Sequence, residues 1–186
     1  MAAISAVIEN LRSLSTTLRP AQSYDLNTDW RLVFASDDDA LCAVGTGLHK
    51  LPLTRMQDFF LTMSGGSSSR KVRAIEVLRV LGPFPNVRNT LDGQCISASP
   101  DELKIRYTSM IDGTGKKTGS SSTGELDRVV DVSVAFVGRN ALVFTTHDAK
   151  RKGDNKEGSL VFTRERDLDL ALAELRVDGI EEEDEE

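Results

Sequence analysis

Two stretches of this chain alternate with period two so regularly that they admit only extended backbone. Leu103, Ile105 and Tyr107 alternate with Lys104, Arg106 and Thr108, and Val130, Val132, Val134 and Phe136 alternate with Asp131, Ser133 and Ala135. Successive side chains on a strand point to opposite faces, so each stretch presents one apolar face. Gly138-Arg139-Asn140 supplies a turn, Leu142–Thr146 reads as the next strand with Leu142 and Phe144 on one face, and Leu160 and Phe162 mark a last strand. Antiparallel strands of this kind build a sandwich or a barrel. The loops between them carry the usual turn chemistry, at 112–119 with its Ser/Gly-rich continuation and at 150–156.

The earlier half is less regular. Ile4, Val7, Ile8, Leu11, Leu14 and Leu18 recur at helical spacing, which predicts an amphipathic helix over 4–18 that Pro20 ends. That helix either packs on the domain or lies on lipid or a partner. Trp30, Leu32 and Phe34 alternate in a strand from Asp29 to Ser36, with Asp37-Asp38-Asp39 as a loop after it. These three carboxylates lack the ligand spacing and turn glycine of a calcium loop. Thr54-Arg55-Met56-Gln57 fits a capping box, and Met56, Phe59, Phe60 and Met63 follow at helical spacing, predicting a short helix. Ser64–Ser69 reads as a flexible connector, and Val72–Leu81 as a strand running into Gly82-Pro83-Phe84-Pro85. Two prolines remove backbone donors and fix φ, so the segment from Gly82 to Leu91 is where the chain changes from mixed structure to consecutive strands. Asp167 caps a last short helix carrying Leu168, Leu172 and Leu175.

At 186 residues one domain with decorations is expected. The net charge of −6 is concentrated in the last six residues, all acidic, and without them 23 acids face 23 bases. The neutral body lacks the basic footprint of a nucleic-acid binder, and the tail reads as solvated and disordered. Cys42 and Cys95 match no metal-ligand spacing and read as two buried thiols. No apolar run approaches the ~20 residues that span a bilayer. The first residues lack the charged start and apolar run of a secretory signal, and any organelle transit peptide lies outside this sequence.

Candidate chemistry is sparse. His49 and His147 are the only histidines, and neither sits in a nucleophile signature or a metal cluster. Gly113–Lys117 lacks the spacing of a phosphate loop, and Asp131 reads as a solvated residue. No catalytic residue and no metal ligand is expected, and the chain reads as non-enzymatic. The inward faces remain: Trp30, Leu32, Phe34, Ile105, Tyr107 and Val132, with Val134, Phe136, Leu142, Phe144 and Phe162. In a small barrel such residues either line an apolar cavity or fill a core. Arg31, Arg88 and Asn89 are the polar candidates for contact with a ligand headgroup or a partner.

Asp29-Trp30-Arg31-Leu32-Val33-Phe34-Ala35-Ser36 resembles the opening strand of the plastid lipid-associated protein (fibrillin) family, with its Trp-x-Leu-x-(Tyr/Phe)-x-Ser pattern. Gly82–Leu91 resembles the family segment leading into its Asn-containing strand. Val130-Asp131-Val132, Leu142-Val143-Phe144 and Gly158-Ser159-Leu160-Val161-Phe162 are similar to the closing strands. Where many members carry an arginine-rich segment, this chain reads Leu142–Thr146, without a cation to set over the tryptophan ring.

The resemblance covers about residues 24–166 and implies a lipocalin-like antiparallel β-barrel, preceded by the N-terminal helix within 1–20. A C-terminal helix over 167–178 and an acidic tail over 179–186 complete the expected organisation. It also implies a non-enzymatic chloroplast protein, peripheral to thylakoid or plastoglobule, that needs no cofactor and binds or carries lipid, carotenoid or quinone. The alternative expectation is a structural accessory subunit docked on a thylakoid complex such as a photosystem.

Overall fold

The computed structural model describes residues 2–14, 17–82, 85–119, 126–146 and 158–175, with backbone alone at 2–5 and 14. Nine strands form one antiparallel sheet: β1 (Asp29–Ala35), β2 (Thr54–Gly65), β3 (Ser69–Val80), β4 (Asn86–Ser97), β5 (Glu102–Ile111), β6 (Lys117–Gly119), β7 (Arg128–Val137), β8 (Ala141–Thr146) and β9 (Gly158–Glu165). Each long strand pairs with its neighbour in sequence, β4 pairs with β5, and β9 returns to β1, so eight strands close into a ring. Short β6 extends β5 beyond its contact with β7. The fold is the expected all-antiparallel barrel, and closure leaves the ring no free edge. Pro83, Phe84, His147, the loop at 150–156 and the acidic tail lie outside the described residues.

Three helices decorate the ring. α1 (Ala2–Leu14) lies against the outer face of β7, with Ile8 buried, and Arg12 donates to the Thr145 hydroxyl of β8 at 3.3 Å. Leu14 ends its described extent, and Leu18, the last residue of the predicted helix, is exposed and not helical. α2 (Asp38–Val44) replaces the expected loop. The Asp37 carboxylate accepts the Ala40 N–H at 2.8 Å as its N-cap, and Asp38 and Asp39 complement the positive helix start. α3 (Leu168–Glu174) begins at Asp167, whose carboxylate accepts from the Leu170 N–H at 3.0 Å. It lays Ala171 and Leu172 on Phe60, Ile75 and Val77 of the outer sheet face, a second small core outside the barrel.

The predicted helix over 54–63 is strand β2. Phe59, Leu61 and Met63 face the interior while Phe60 faces α3, and a bulge between Met56 and Asp58 offsets the alternation. Burial on both faces together with one extra residue yields apolar positions at helix-like spacing. Only three residues separate the end of β2 at Gly65 from the start of β3 at Ser69, so half of the expected connector is strand and the rest a tight hairpin turn.

Candidate functional site

Nine of the eleven expected interior residues are interior. Trp30, Ile105, Tyr107, Leu142, Phe144 and Phe162 are fully buried, Val132 and Val134 nearly so, and Leu32 packs on the same core. The Trp30 indole N–H donates to the Leu26 carbonyl at 3.1 Å, which ties the strand start to a short 3-10 turn capping that end of the ring. Phe34 and Phe136 are the exceptions. A bulge in β1 between Leu32 and Phe34 and another in β7 between Val134 and Phe136 shift the register. In their place Ala35 packs on the core and Val137 is buried in it. A bulge adds one residue, which turns every later side chain to the opposite face.

Inward side chains from all eight strands of the ring form one buried cluster. The Phe144 and Phe162 rings meet edge to face at 5.6 Å between centroids, and Phe59 approaches Phe162 at 6.3 Å. Eight strands make a ring just wide enough for side chains to occupy, and here aromatic groups from β2, β8 and β9 meet within it.

Both ends are tied by polar groups that the alternation pattern does not reveal. At one end Arg70, 1% exposed, turns inward and donates to Asn27 Oδ1 at 3.0 Å and to the carbonyls of Ala21 at 3.1 Å, Ser23 at 3.0 Å and Ser67 at 3.3 Å. At the other end α2 sits over the ring. The Tyr107 hydroxyl donates to the Val44 carbonyl at 2.9 Å, and Arg128 takes the carbonyls of Cys42, Ala43 and Gly45. These close the carbonyl end of α2, where cations are favourable. Glu76, 1% exposed, accepts the Thr46 N–H at 2.6 Å and the Thr46 hydroxyl, and burial holds its carboxyl above the usual range. The clue to Glu76 and Arg70 in the sequence is a charge on the inward phase of an otherwise apolar strand.

Asn89, a candidate for headgroup or partner contact, belongs to this buried end. It is 2% exposed, in register opposite Glu76, and its Oδ1 accepts the Gly113 N–H at 3.0 Å. Arg31 is engaged within the chain, donating to Asp58 at 2.5 Å and lying 5.6 Å from the centre of the Phe60 ring. The cation over an aromatic ring therefore falls on Phe60. Arg88 is exposed. It lines an outer groove of about 530 Å³ beside α3, with Lys71, Arg73, Ile75, Asp92 and Leu172.

Neither thiol is poised for reaction. Cys95 is fully buried, and burial pushes its thiol up to about 11. Cys42 is half-buried, 3.9 Å from His49 Nε2, a pairing with no sequence signature, and burial raises its thiol pKa too. Thiols held above their ordinary pKa are poor nucleophiles at neutral pH. Asp131 is largely exposed, 3.7 Å from Lys104, as a solvated residue should be.

The class defined by this geometry is a closed antiparallel β-barrel with a side-chain core and helices on its outside. No family model and no curated protein matches the sequence. Among solved structures, a redesigned β-barrel is similar over 82% of this chain and 99% of its own, at 9% identity and a TM-score of 0.38.

Proposed function

We propose that this is a non-enzymatic chloroplast protein of the plastid lipid-associated type that works through the outside of its barrel, as an accessory subunit seated on a thylakoid membrane complex such as a photosystem. The observation that carries this reading is the aromatic contact of Phe59, Phe144 and Phe162 inside the ring. Side chains that pack on one another inside the ring support a role for the outer surface. The closed ring between Asp29 and Glu165 also agrees with the barrel that the family resemblance implies. In the test, the tagged protein is expressed in a photosynthetic host and its gently solubilised thylakoids are separated on a density gradient. Co-migration with a chlorophyll-protein complex is expected. Recovery only in the soluble fraction contradicts the reading.

The groove beside α3 favours a second reading, in which a lipid, carotenoid or quinone binds on the outer face. Its lining joins Ile75, Leu168 and Leu172 to the cations of Lys71 and Arg88, a combination suited to an amphiphile. Mass spectrometry of an organic extract of the purified protein tests it. One hydrophobic species at constant stoichiometry, lost in a Leu172→Glu variant that still folds, supports it; an empty extract contradicts it.

A further inference from the structure

The rim where β2 begins and β3 ends carries two features that stability alone disfavours. Leu51-Pro52-Leu53-Thr54 forms a reverse turn, with the Thr54 N–H donating to the Leu51 carbonyl at 3.2 Å and Leu53 at φ +66°. Proline second and positive φ third is the pattern of a type II turn, whose third place ordinarily holds Gly or Asn because a larger side chain is strained there. Here the strained residue is a leucine, 66% exposed. Leu51 is 53% exposed and Leu81 47%, and the Leu81 N–H donates to the Leu53 carbonyl at 2.8 Å, so three exposed leucines share this rim.

Behind them stand arginines. Arg55 of β2 and Arg79 of β3 are direct cross-strand partners, both exposed, and Arg88 of β4 lies a diagonal step away, opposite Val77. Like charges directly opposed weaken a ladder. Among the described residues the side chains of these three have no hydrogen-bonding or ion-pair partner, whereas Arg31, Arg73 and Arg106 on the same barrel pair with Asp58, Asp92 and Asp127.

We infer that this rim docks the protein on an anionic lipid bilayer, with Leu51, Leu53 and Leu81 entering the interface and Arg55, Arg79 and Arg88 at the headgroups. Leu53 and Leu81 each lie two residues beyond an arginine, just past the ends of β2 and β3. Apolar tips ahead of cations reproduce the order of a bilayer, hydrocarbon beneath anionic headgroups. An acidic protein surface or a nucleic acid would satisfy the arginines and leave the leucines unmatched. The inference rests on the reading that the protein works at a membrane surface, and it adds the lipid charge and the contact residues.

The test is co-sedimentation of the full-length protein with vesicles of phosphatidylcholine containing phosphatidylglycerol, against vesicles of phosphatidylcholine alone. Binding to the anionic vesicles is expected, weakening with salt. Arg55→Gln with Arg79→Gln should lower the partition coefficient about 25-fold, roughly fivefold for each charge. Leu53→Asn relaxes the turn, because Asn tolerates positive φ, so it should leave the thermal midpoint equal or higher while reducing binding. Equal binding to both vesicle types, no binding to either, or partition unchanged in folded variants overturns the inference. A protein that migrates with a photosystem yet ignores anionic vesicles overturns it while leaving the proposed function standing.

Discussion

Phe144 and Phe162 meet edge to face inside the ring at 5.6 Å, within the one buried cluster that inward side chains of all eight strands form. Phe162→Ala should therefore cost about 3–5 kcal/mol in urea denaturation, since the transfer loss and the cavity add. The same variant should gain stability from added benzene while the wild type does not. A wild type stabilised as strongly by benzene would show an interior that is already open.

The two bulges assign very different weights to residues that look alike in sequence. Phe34→Ala and Phe136→Ala are each expected to cost less than half of what Phe144→Ala costs, because neither ring is among the buried core residues. Equal losses for all three would contradict the register shifts.

Glu76 gives a pH dependence of defined sign. Burial raises its folded-state pKa above the ordinary 4.5, so the native state binds the proton more tightly than the unfolded chain. Its contribution to stability is fully present below 4.5 and is lost as pH rises through the higher folded value. Glu76→Gln removes the titration while keeping an oxygen to accept from Thr46. The difference in urea midpoint, variant minus wild type, should grow in the variant's favour as pH rises above 4.5. A pH-independent difference would contradict the burial of that carboxylate.

Arg70 holds three carbonyls and the Asn27 amide oxygen at its end of the barrel without a carboxylate partner. Arg70→Leu should cost about 3 kcal/mol or more, because buried acceptors lose charged donors. Hydrogen exchange should rise first at 20–28, the segment those bonds tie down. A uniform rise across the barrel would show that Arg70 acts only through global stability.

What was legible in the sequence follows from how each strand is buried. At 103–107 and 130–134 one face is core and the other is wet, so alternation states both the strand and its inward residues. β2 is covered on both faces and bulged, and the same logic returns a helix. Asp37-Asp38-Asp39 reads as a loop because an N-cap is recognisable only once a helix is known to follow. Phe34 and Phe136 read as inward because a bulge leaves no mark in an alternating pattern. Glu76, Arg70 and Arg128 act on backbone carbonyls or on a residue remote in sequence, partners that no local spacing encodes.

Trp30, the sole tryptophan and fully buried within the ring, reports on whether ligands enter the barrel. The most direct measurement is its emission as a brominated fatty acid, a contact-range quencher, is added to the folded protein. With Phe59, Phe144 and Phe162 packed on one another inside the ring, emission should stay constant even where vesicle sedimentation shows the protein bound to lipid. Saturable quenching of Trp30 at low quencher concentration, with the thermal midpoint unchanged or raised, would contradict a solid barrel that works through its outer surface.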